Sequence, residues 1–128
     1  MNDDPNKSRL FALRGAISVE DNTESAILSA TSELLSAVIE RNDLDTDQMV
    51  SCVFSCTTDL NAQFPAVAAR ELGLDRVALL CTQEIEVPGS LPRVIRVLLH
   101  YYAPAGHQPQ HVYLGEARSL RTDLTSAQ

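Results

Sequence analysis

One long helix has to serve five strands, and that imbalance constrains the fold more than any other feature of the chain. From Asp21 to about Asn42, Ile27, Thr31, Leu34, Leu35 and Val38 recur at helical spacing, with Glu24, Ser25, Ser32, Ser36 and Glu40 on the opposite side. Asp21-Asn22-Thr23-Glu24 supplies the helix start, with Asp or Asn as cap and acids in the first turn. Strand-like runs occupy 10–19, 50–57, 76–86, 93–102 and 111–114. A short helix is predicted over 64–73, with Pro65 near its start and Gly73 at its end. Pro88-Gly89-Ser90 turns the chain between the third and fourth runs, which predicts a hairpin. The order β-α-β-(short α)-β-β-β reads as an α+β domain on a mixed sheet of about five strands. One long helix covers one face of such a sheet. The other face must be buried elsewhere, and a symmetric oligomer is the simplest way to do it.

The length of 128 residues suits one domain, expected over 9–124 between a disordered tail at 1–8 and a flexible end at 125–128. A net charge of −7 argues against nucleic acid and anionic membrane as partners. No signal peptide or membrane-length apolar run is visible, and the expected location is the cytoplasm. Cys52 and Cys56 stand four apart in one strand run, roughly 13 Å at ~3.3 Å per residue, too far for a disulfide. The three cysteines therefore read as thiols of a reducing compartment. Asp43, Asp45 and Asp47 alternate as in a calcium loop, but Gln48 stands where Gly is needed and Phe54 where the bidentate Glu is needed. No metal or cofactor is expected.

Charge placed inside apolar runs is the chemical clue. Arg96 interrupts Val94-Ile95-Arg96-Val97-Leu98-Leu99, and Glu84 lies in the run that begins at Val77. A guanidinium stays charged in a protein, so an anion should meet it, whether a carboxylate of the chain or a guest. The two residues are a structural ion pair or two walls of a polar site in an apolar frame. Nine of the ten basic residues are Arg, the side chain that grips carboxylate through two parallel bonds. Arg14 also sits in a strand-like segment. Tyr113 is a core ring or a wall. Cys81 stands three residues before Glu84, so in an unbroken strand the two point to opposite faces. A bulge or an inter-subunit arrangement would be needed to bring both to one pocket. His100, His107 and His111 lack metal-ligand spacing. No nucleophile elbow, Gly-rich phosphate loop or Cys-x-x-Cys is present.

Several motifs then align with one known family. Arg14-Gly15-Ala16 followed by Asp-x-x-Glu at the helix start resembles the N-terminus of the monofunctional AroH-type chorismate mutases. Asp59-Leu60-Asn61-Ala62-Gln63-Phe64-Pro65-Ala66, Cys81-Thr82-Gln83-Glu84, Ile95-Arg96-Val97, His111-Val112-Tyr113-Leu114 and Leu120-Arg121-x-Asp123-Leu124 resemble its later motifs, in order, from about residue 10 to 124. The resemblance implies a homotrimer with a pseudo-α/β-barrel core, sites at the subunit interfaces, and rearrangement of chorismate to prephenate in phenylalanine and tyrosine synthesis. It implies that Arg14 and Tyr113 hold carboxylates, that Arg96 meets a carboxylate and the ether oxygen, and that Glu84 takes the ring hydroxyl. Cys81 would lie beside the ring, Phe64 and Ala66 would line the pocket from a neighbouring short helix, Arg70 would guard the entrance and Leu120 would close the site. Val67 and Leu80 depart from the family's usual Lys and Thr. A Rid-like enamine/imine deaminase and a non-enzymatic small-anion-binding trimer are the alternatives. Release of ammonia, or binding without turnover, would distinguish them.

Overall fold

A computed structural model describes residues 7–125, with side chains through Leu120. The tails expected from the sequence lie outside the described residues up to position 6 and from position 126. Five strands form one sheet: β1 (Ser8–Ser18), β2 (Met49–Cys56), β3 (Ala78–Gln83), β4 (Val94–Pro104) and β5 (Val112–Leu114), in spatial order β3-β2-β4-β1-β5. Ser8, expected in the tail, already belongs to β1 and pairs with Pro104. The helices are α1 (Glu24–Arg41) and the short α2 (Ala66–Glu71), and a run of 3-10 turns follows over Gly115–Thr125.

The helix start follows the expected segment but not the expected cap. Thr23 is extended, and its Oγ1 accepts a hydrogen bond from Ala26 N at 3.2 Å. Asn22 is drawn away from capping. Its Oδ1 accepts from the backbone N–H groups of Asn61 and Ala62, both at 3.0 Å. The apolar stripe behaves as the periodicity requires: Ile27, Thr31, Leu34, Leu35 and Val38 are all buried. They pack on Leu13, Ile17, Cys52, Phe54, Ile95 and Leu99, which share one sheet face by strand alternation and cross-strand register.

The expected hairpin between the third and fourth runs is absent. β3 pairs in parallel with β2, whereas β4 lies on the far side of β2, antiparallel to both β2 and β1. The reason is burial. β4 alternates buried residues along its length and takes the centre of the sheet, while β3 is largely exposed and takes an edge. The segment through α2 supplies the crossover that a parallel β2–β3 pair requires. β3 also ends at Gln83, so Glu84 lies one residue past a strand expected to reach position 86. Glu84 and Arg96 are thus not on neighbouring strands; β2 runs between them.

One sheet face is covered by α1; the other is covered only at its β1–β5 end, by Ala117 and Leu120. The other presents Leu80, Leu98 and Tyr102 exposed, together with Arg14, Ser55 and Arg96. β5 is held against β1 by close backbone approach at Gly15. A Cβ there would lie 3.2 Å from Leu34 Cδ1, Val97 Cγ2 and the Val112 carbonyl oxygen. Gly15→Ala is therefore expected to lower stability by about 1–3 kcal/mol. Thermal melting checks this, and a variant as stable as wild type would mean that β5 can retreat freely.

Candidate active site

The cross-strand register builds a polar hollow on the uncovered face. Ser55 of β2 pairs with Arg96 of β4, and Ala16 of β1 pairs with Arg96 on its other side and with Tyr113 of β5. Paired residues share a face, so Arg96, Ser55 and Tyr113 converge, and Arg14, two residues before Ala16, joins them. Glu84 completes the wall. Its backbone N–H donates to Cys56 O at 2.8 Å, extending the β2–β3 ladder one step past Gln83. The result is a cavity of about 290 Å³ lined by Arg14, Val53, Ser55, Glu84, Arg96 and Tyr113, among others.

Its charges meet without neutralising one another. Arg96 Nε lies 3.3 Å from Glu84 Oε1, and the two side chains are 35% and 31% exposed. Distance alone makes this an ion pair, yet Nε, itself buried, has no hydrogen-bond partner among the described residues. The N–H misses the carboxylate, so the contact is coulombic attraction without direction. The Arg96 side chain as a whole is a third exposed, less enclosed than its apolar strand suggested. Two arginines and one glutamate leave the hollow with one formal positive charge in excess in a protein of net charge −7. Tyr113 is buried in a cluster with Ala16, Val94 and Ala117, against which Leu120 packs.

Two other residues shape this wall: Ser55, which belongs to no motif, and His111, whose motif gives the residue itself no role. Ser55 donates its hydroxyl to Glu84 Oε1 at 2.7 Å. His111 Nδ1 accepts the backbone N–H of Arg14 at 2.9 Å, one position before the parallel β1–β5 pairing begins at Gly15. The imidazole thus acts as the last rung of that ladder, and it must be neutral to accept. Burial, then the positive charge of Arg14, holds its pKa below the ordinary 6.5. The sign follows directly. The unfolded chain binds a proton in a range where the native ring does not, so this contribution is intact above pH 6.5. It is lost progressively as pH falls from there toward the native pKa. His111→Asn keeps an acceptor without titrating and is expected to flatten the acid limb of Tm against pH. An unchanged limb would assign that slope to other groups.

Phe64 and Cys81 lie elsewhere. They line a broader hollow of about 670 Å³ with Cys56, Thr57, Asn61 and Gln83. Cys81 pairs with Phe54, a core-facing residue, whereas Glu84 faces the other side, as a separation of three residues in a strand requires. Phe64 is 66% exposed. Ala66 is buried at the start of α2, Arg70 is exposed near its end, and Leu80 is exposed on the same face as Arg96; none of the three lines either hollow. Cys52 and Cys56 are pushed up to about 12 and about 11, by burial first and then by Cys81, so both are inert thiols. One protomer therefore divides the candidate residues between two hollows. Arg14, Glu84, Arg96 and Tyr113 share one, and Phe64 and Cys81 share the other.

The profile of the family described as chorismate mutase type I matches residues 10–124. Chorismate mutase AroH of Thermus thermophilus is 48% identical over 118 residues, covering 91% of this chain and 97% of that protein. Chorismate mutase AroH of Bacillus subtilis (strain 168) is 42% identical over 115 residues, covering 88% and 91%. A solved chorismate mutase from Clostridium thermocellum superposes with a TM-score of 0.78 at 42% identity, covering 86% of this chain and 99% of that one.

Proposed function

Because the chain belongs to the type I chorismate mutase family and converts chorismate to prephenate, we propose that the Arg96 hollow of one protomer and the Phe64–Cys81 hollow of its neighbour close on one substrate in a homotrimer. This replaces the deaminase and anion-sensor alternatives. The observation that carries the proposal is the division itself. Cys81 and Glu84 point to opposite sides of one sheet edge, so a single copy cannot put both against one small ring. The uncovered face, with Leu80, Leu98 and Tyr102 exposed, supplies apolar surface for the contact. Residues 9–124 form the catalytic domain in this reading. Three free thiols fit a reducing cytoplasm, and among the described residues no helix is long and apolar enough to cross a membrane.

The reaction breaks one C–O bond and forms one C–C bond within a single molecule. No proton moves and no covalent intermediate is required, so a wall without a nucleophile–base pair suits it. Arg14 and Tyr113 bind the substrate's carboxylates. Arg96 faces the ether oxygen, where negative charge grows as the bond breaks, and so stabilises the transition state more than the ground state. Glu84 accepts the ring hydroxyl and balances positive character in the ring. Phe64 and Cys81 form the opposite wall from the neighbouring copy, with Arg70 at the entrance, Leu80 at the seam and Leu120 over the site. Together the walls hold the chair-like conformer in which the reacting carbons lie close. Light scattering on the purified protein is expected to give three times the 14.0 kDa chain mass. A fully active monomer would end the shared-site proposal.

A further inference from the structure

We infer that Ser55 is a positioning residue for this reaction: its hydroxyl holds Glu84 by Oε1 and so leaves Oε2 as the oxygen offered to the substrate. The inference rests on the role proposed for Glu84. Backbone pairing anchors Glu84 only at its N–H, through Cys56 O. Beyond that a glutamate has three free torsions, and this one is partly exposed. Arg96 attracts the carboxylate but does not orient it, because its Nε has no hydrogen-bond partner. Ser55 does orient it, with a short O–H···O⁻ bond of 2.7 Å.

The position of Ser55 suits that task. It stands in register with Arg96 on one side and Thr82 on the other, on the floor of the hollow. Both neighbours of the carboxylate, the Ser55 hydroxyl and the Arg96 guanidinium, meet Oε1. A carboxylate only accepts. With Oε1 engaged, Oε2, which has no partner among the described residues, is the acceptor left for a guest hydroxyl. Serine is also small, so it orients Glu84 without filling the cavity.

The test is a double-mutant cycle on steady-state kinetics. Ser55→Ala is expected to lower kcat/KM about tenfold, the scale of one hydrogen bond to a charged group. Its melting temperature should stay close to wild type. Ser55→Thr, which restores a hydroxyl on a residue that suits a strand, should recover most of the activity. In a Glu84→Ala background, adding Ser55→Ala should cost almost nothing further. An equal loss in both backgrounds, or no loss beside intact Glu84, overturns the inference. A Glu84→Ala variant with wild-type kcat/KM would instead remove the role of Glu84 itself, a separate result. If Ser55→Ala does not fold, Ser55→Cys, similar in size but a weak donor, carries the same comparisons.

Discussion

Replacing Arg96 with citrulline, which keeps the shape but not the charge, is expected to lower kcat by at least two to three powers of ten. An acceleration of about a million-fold needs ~8 kcal/mol off the barrier. One preorganised donor supplies roughly 2.7–4 kcal/mol, with a charged donor at the upper end. Arg96 therefore carries a large share but not all of the effect, and conformer selection by the remaining walls supplies the rest. The geometry adds a second penalty. Without the guanidinium charge, Glu84 keeps its own and the excess positive charge of the hollow disappears. A dianion then meets a neutral wall. Because charge on the ether oxygen grows only in the transition state, kcat should fall more than KM rises. Arg96→Lys should also fail, since a shorter point charge cannot reproduce a planar fork from the same strand position. Near-normal turnover in the citrulline variant would end the electrostatic account.

Mixing two dead variants is expected to restore activity. Arg96→Ala disables the hollow formed by Arg14, Glu84, Arg96 and Tyr113. Phe64→Asp disables the other, by placing an anion where a dianionic substrate would lie. Each pure protein should be nearly inactive. When the two are unfolded, mixed in equal amounts and refolded together, some interfaces receive both intact halves. Random assembly gives about a quarter of the sites an intact pair, and activity should recover to about that fraction of wild type. If each protomer held a complete site, mixing would restore nothing. The measurement thus separates a shared site from a self-contained one without a structure of the assembly.

Much of the fold could be read from residue order, for reasons that are local. The stripe from Ile27 to Val38 can bury only one side of a helix, and all five of its residues are buried. The pairing of strands could not be read in the same way. Pro88-Gly89-Ser90 is a turn signal, but a turn does not choose which strand comes next to which. β4 left β3 for the centre of the sheet because its alternating apolar residues gain more from two flanking strands than from an edge. Asn22 shows the same limit at one residue. By type it is a cap, but long-range bonds to Asn61 and Ala62 outbid that role and left it to Thr23.

The candidate site divides along the same line. Arg96 and Glu84 stood out because a charge in an apolar strand conflicts with its neighbours in sequence. Ser55 did not, because serine is unremarkable in a strand, and His111 stood in a motif without a role of its own; each gains its role from a partner 29 or 97 residues away. By itself the chain's order of residue types determined the helix, the strands, the surplus of uncovered sheet and the acids and bases a substrate would meet. Strand alternation already sends Cys81 and Glu84 to opposite faces; tertiary structure alone decided which residues join each of them in a hollow. Side-chain direction alternates along every strand, but which strands lie side by side depends on burial summed over the whole domain.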